Sequence, residues 1–112
     1  MNDHVEINEN KRARLILKGI WYYGDIKPMT VQIFALNFDY YFELDKGYHE
    51  EGAKSELNAQ AEQYVIIWSD TNFFDYSDFP SNGFMTIAEA KEYAVSLVQK
   101  IEWTDPLTMN YL

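Results

Sequence analysis

The chain has 112 residues, a formal net charge of −9 and no cysteine. That length predicts a single acidic domain over residues 1–112, and a hydrophobic content of 47% with 24% charged residues excludes compositional disorder. The lack of cysteine excludes a disulfide framework and a thiolate metal site.

A small cysteine-free domain fits a reducing cytoplasm. The segment Met1-Asn2-Asp3-His4-Val5-Glu6 has neither a basic n-region nor an apolar h-region, so no signal peptide is expected. The longest apolar stretches, such as Tyr64-Val65-Ile66-Ile67-Trp68, are too short to span a bilayer.

In chain order, residues 1–10 are polar, with Val5 and Ile7 alternating as in a short edge strand. From Ala13 to Tyr23 the odd positions Ala13, Leu15, Leu17, Gly19, Trp21 and Tyr23 form one largely apolar series, the pattern of a strand. Tyr23-Gly24-Asp25 and Lys27-Pro28 then supply turn chemistry. A second β-rich run extends over 29–44. Its apolar parity changes from Met29, Val31, Ile33 and Ala35 to Phe34, Leu36, Phe38, Tyr40, Phe42 and Leu44. Because a one-residue shift turns side chains to the opposite face, the change predicts a bulge near 35–37 or a strand that changes what it packs against.

Residues 53–63 have helix-forming composition but one large apolar residue, Leu57, and read as a loop with room for a helical turn or two. Tyr64–Ser69 reads as a short strand, and 70–83 as a structured loop rich in Phe and Tyr. Thr86 followed by Glu89 is a capping-box signature. Ile87, Ala90, Ala94, Leu97, Val98 and Ile101 recur at helical spacing, and Asp105-Pro106 stops the run. These signals place a helix at 87–102 with that apolar series facing the sheet. The predicted fold class is α+β: an antiparallel sheet of three to four strands with one C-terminal α-helix packed on one face.

Nothing in the chain marks an enzyme. Phosphate-binding glycine loops, His-Glu-x-x-His and Gly-x-Ser-x-Gly are all missing. His4 and His49 read as solvated surface histidines. Asp70-Thr71-Asn72-Phe73-Phe74-Asp75 begins like a calcium loop but puts Phe74 at the third ligand and Asp75 where glycine is required. No metal or cofactor is therefore expected. Arg12, Arg14 and Lys18 would share one face of the first strand, near Trp21 and Tyr22. Beside so acidic a body they read as a solvated strand face rather than a nucleic-acid platform.

Charge is unevenly distributed: residues 1–27 sum to +1 and residues 39–105 to −10. Two segments mix acids with aromatics. One is 39–51, from Asp39 through Tyr40, Tyr41 and Phe42 to Glu50 and Glu51. The other is the 70–79 loop, with Asp70, Phe73, Phe74, Asp75, Tyr76 and Asp78. Aromatics that fill pockets and acids that meet Arg or Lys make a partner-binding surface. The 39–45 aromatics read instead as core, so the candidate set is Asp70, Phe73, Phe74, Asp75, Tyr76 and Asp78 with Glu50 and Glu51.

The expected function is non-enzymatic: an acidic binding protein that blocks a basic, nucleic-acid-handling partner protein by matching the phosphate charge its target expects. In size and charge alone the chain resembles small phage and mobile-element inhibitors of the anti-CRISPR and anti-restriction kind. An immunity protein neutralising a co-encoded bacterial toxin and a small structural or oligomeric subunit are the alternatives. Direct nucleic-acid or membrane binding is not expected.

Overall fold

The computed structural model describes residues 9–44, 54–68 and 83–104. Strands β1 (Ala13–Tyr23), β2 (Lys27–Leu36), β3 (Gln63–Ile67) and β4 (Glu102–Thr104) form one antiparallel sheet in the order β3-β2-β1-β4. Helix α1 (Tyr40–Leu44) follows β2, and helix α2 (Ile87–Val98) packs against the sheet just before β4. The fold is α+β, as the sequence predicts.

β1 and β2 are joined through Gly24 and Asp25, both at positive φ (60° and 61°), with the Ile26 amide donating to the Tyr23 carbonyl at 3.2 Å. Positive φ at both central residues suits the right-handed twist of the strands it joins, and glycine takes the first at no steric cost.

The predicted bulge near 35–37 is absent: β2 pairs without interruption from Gln32 to Leu36, and the register irregularity lies in β1 instead. Leu15 pairs with Phe34 and Leu17 with Ile33, so β1 carries one extra residue at Ile16. Ala13 and Leu15 therefore join the far-face core of Phe34, Leu36, Phe38, Tyr40, Val65 and Ile67. Leu17 and Trp21 turn to the helix face, where Val31, Ile33, Ile66, Ala90 and Ala94 are buried. The bulge also separates the basic residues of this strand. Arg14 lies opposite Ala35 and Lys18 opposite Gln32, on different faces, so the expected basic strip does not exist.

In β2 every residue from Val31 to Leu36 is buried, because both faces of this inner strand are covered. That is why both parities read as apolar. The strand ends at Leu36 and the chain turns into α1, which Asp39 caps by accepting from the Phe42 amide at 3.2 Å. Residues 54–62 contain no helical turn. Asn58 organises them, accepting from the Gln60 and Glu62 amides and donating to the Met85 carbonyl at 3.1 Å. Buried Gln63 closes the loop, donating to the Glu56 carbonyl at 3.1 Å and accepting from the Tyr40 amide at 3.4 Å.

α2 begins where its capping box places it. The Glu89 amide donates to Thr86 Oγ1 at 3.0 Å, and the Thr86 amide donates to Glu89 Oε1 at 3.1 Å. It ends at Val98, four residues short of the predicted 102, because Gln99 adopts φ 71° while its amide donates to the Val95 carbonyl at 2.7 Å. The chain then reverses, and residues 102–104 pair with β1 instead of extending the helix. The predicted packing face also needs correction. Ala90 and Ala94 are the buried helix residues, whereas Leu97 is 55% and Ile87 39% exposed. Two alanines one turn apart let the helix lie close on the branched residues Val31, Ile33 and Ile66, which leaves the bulky helix residues outside. Ile101 does join the helix-face core, from the connection after the helix.

Candidate functional site

Glu50 and Glu51, and Asp70, Phe73, Phe74, Asp75, Tyr76 and Asp78, all lie outside the described residues. So do His4, His49, the alternation at Val5 and Ile7, and the calcium-like run that starts at Asp70. The structure fixes where those segments attach. Residues 45–53 join α1 to Lys54, and residues 69–82 join Trp68 to Gly83.

Attachment matters because of charge. The described residues hold nine acids and eight bases, so the sheet and helices are nearly neutral. The other residues hold nine acids and one base, Lys46, which places almost all of the −9 in the segments 1–8, 45–53, 69–82 and 105–112.

Both roots of the 69–82 segment are aromatic. On one side Trp68 meets Trp21 edge-on with ring centroids 6.1 Å apart, and Trp21 meets Tyr23 at 6.3 Å. On the other, Phe84 exchanges two backbone hydrogen bonds with Tyr64, both 2.8 Å, and its ring packs on Tyr93 at 5.3 Å. Gly83 lies so close to the Gln63 side chain that a β-carbon there would overlap it. This root is therefore tightly held.

Beside Phe84 the outer side of α2 forms a shallow, open cleft of about 340 Å³ lined by Phe84, Glu89, Glu92, Tyr93 and Ser96. Glu89, Glu92, Tyr93 and Ser96 fall at helical spacing and make one stripe. Among the described residues no base lines the cleft. Lys91 turns the other way, with Nζ 5.9 Å from the centre of the Trp103 ring. Sequence reading missed these residues because it followed the apolar periodicity of α2. The acidic and aromatic stripe was present but had no visible partner until Phe84 was placed beside it.

A second cleft, of about 510 Å³, lies at the start of β1 among Lys11, Arg12, Ala13, Arg14, Ala35, Asn37 and Glu62. Two of its bases are paired: Arg14 with Glu62 at 3.0 Å and Lys11 with Glu43 at 3.3 Å. The Asn37 side chain ties the strand start, accepting from the Arg12 amide at 2.7 Å and donating to the Asn10 carbonyl at 3.0 Å. Burial raises the pKa of the Tyr41 phenol above its ordinary value, since the phenolate would lose hydration.

Among the described residues no group of three or more His, Cys, Asp or Glu side chains could hold a metal ion. Nor is any helix among them long and apolar enough to cross a membrane. The chain matches no protein-family model, no curated protein and no solved structure.

Proposed function

We propose that this chain is a non-enzymatic binding protein that occupies the basic surface of a nucleic-acid-handling partner protein and blocks it, in the manner of a defence inhibitor from a phage or mobile element. The observation that carries the reading is the partition of charge. A nearly neutral frame of sheet and helices holds connecting and terminal segments that together sum to −8, and one of these, 69–82, also contains Phe73, Phe74, Tyr76 and Phe79. Concentrated negative charge raises the encounter rate with a cationic surface, and aromatic anchors slow release from it. A cysteine-free chain is suited to a reducing cytoplasm, where such a target would be met.

The test is capture of the partner from the native host with a tagged form of the protein. The partner's binding to its nucleic acid is then assayed with and without the purified chain. The expected result is loss of nucleic-acid binding as the chain is added, with the effect weakening as salt rises. A partner that keeps its nucleic acid at saturating inhibitor would overturn the reading, as would tight binding of this chain itself to DNA at physiological salt. Capture and neutralisation of a toxin would replace it with the immunity role.

A further inference from the structure

The cleft on α2 has the makings of a site for one particular side chain. Its apolar wall is the Phe84 and Tyr93 pair, whose ring planes are inclined at 42°. Tyr93 is 45% exposed, so its ring remains open to a visitor. Glu89 and Glu92 also line it, one turn apart on the helix. Glu89 uses Oε1 to close the helix cap, accepting from the Thr86 amide and hydroxyl, which leaves Oε2 unengaged among the described residues. The Glu92 side chain makes no hydrogen bond or ion pair to any described residue. The cleft thus offers an aromatic face and two carboxylates with acceptor capacity left over among the described residues, where no lining base competes for them.

That combination favours a planar cation. Ring quadrupoles attract cations over their faces. A guanidinium, unlike an ammonium, stacks flat and donates through a rigid fork that matches a carboxylate. We infer that this cleft receives an arginine side chain of the partner protein, stacked on Tyr93 and hydrogen-bonded to Glu92. The inference rests on the proposed function, which supplies a basic partner. It is also continuous in sequence with the acidic segment, because Phe84 comes two residues after residue 82.

The experiment uses the full chain, labelled with nitrogen-15, and three short capped peptides: Gly-Arg-Gly, Gly-Lys-Gly and Gly-citrulline-Gly. Amide shifts are expected at Phe84, Glu92, Tyr93 and Ser96 with the arginine peptide. The lysine peptide should bind about 5-fold more weakly or worse, as expected when stacking and the bidentate fork are lost. The uncharged citrulline peptide should give no shifts. Glu92→Gln should weaken arginine binding by about 5-fold or more, while Glu102→Gln, the same charge change outside the cleft, should leave it unaltered. Tyr93→Phe should retain binding and Tyr93→Ala should abolish it, with circular dichroism showing that both variants remain folded.

Shifts that map outside residues 84–96 would overturn the inference. So would a lysine peptide that binds as well as arginine, or Glu102→Gln weakening binding as much as Glu92→Gln. Any of these results leaves the captured partner and its loss of nucleic-acid binding untouched. Conversely, a partner without a basic face would overturn the proposed function while leaving arginine binding in the cleft measurable.

Discussion

Trp103 rests directly on Gly19. The two residues face each other across the β1–β4 pairing, and a β-carbon on Gly19 would lie 2.8 Å from Trp103 Cε3 and 2.6 Å from Ile101 Cγ2. The short last strand is thus seated through a missing side chain. Gly19→Ala is expected to destabilise the protein by about 1–3 kcal/mol, the usual range for overpacking. Gly19→Ala combined with Trp103→Leu should lose less than the two single changes added together, which urea melts of all four proteins would measure.

The two sides of α2 should respond oppositely to substitution. Leu97 is more than half exposed, so Leu97→Ala should change stability by no more than about 0.5 kcal/mol. Ala94 is fully buried against the sheet, and Ala94→Leu should lose about 1–3 kcal/mol. A large loss at Leu97 with none at Ala94 would mean that the helix is rotated from the orientation described.

The capping box gives a separate measurement. Thr86→Ala removes the hydroxyl that accepts from the Glu89 amide and should destabilise by about 1 kcal/mol, whereas Thr86→Ser should be close to neutral. Thermal unfolding followed at 222 nm, the standard helix band, would separate the two variants.

Gln32 lies fully buried in the middle of the sheet, and neither the nitrogen nor the oxygen of its side-chain amide has a hydrogen-bond partner among the described residues. Its neighbours across the sheet are Lys18 and Ile67. An unsatisfied buried amide is destabilising by about 1–3 kcal/mol, and an apolar residue of similar shape removes that penalty. Gln32→Met should therefore raise the melting temperature. A fall would show that the amide finds a partner in solution.

Binding kinetics with the captured partner would separate charge from anchoring. Asp75→Lys together with Asp78→Lys should mainly lower the association rate and its salt dependence, since steering charges act on encounter. Phe74→Ala should mainly raise the dissociation rate, with a loss of about 2 kcal/mol if the ring is a hot spot. Unchanged binding in both variants would move the interface away from this segment.

The amino-acid sequence by itself determined whatever local rules could specify. Gly24 and Asp25 mark the hairpin, since positive φ at two successive positions needs residues that tolerate it. Thr86 and Glu89 mark the start of α2, because a capping box is complete within four residues. The charge imbalance and its concentration after residue 39 were equally legible.

Tertiary structure decided the rest. Periodicity reports that a residue is apolar, not which of two cores it enters. Because β2 is covered on both faces, its alternation disappeared, and the bulge in its partner at Ile16 could not be assigned. The end of α2 depended on residues 102–104 finding Lys18, Gly19 and Ile20, a pairing between distant parts of the chain with no local signature. The choice of Ala90 and Ala94 over Leu97 followed from the bulk of the sheet residues beneath them. The cleft of Phe84, Glu89, Glu92 and Tyr93 exists only because the Tyr64 backbone holds Phe84 beside the helix, a contact that hydrophobic pattern does not encode.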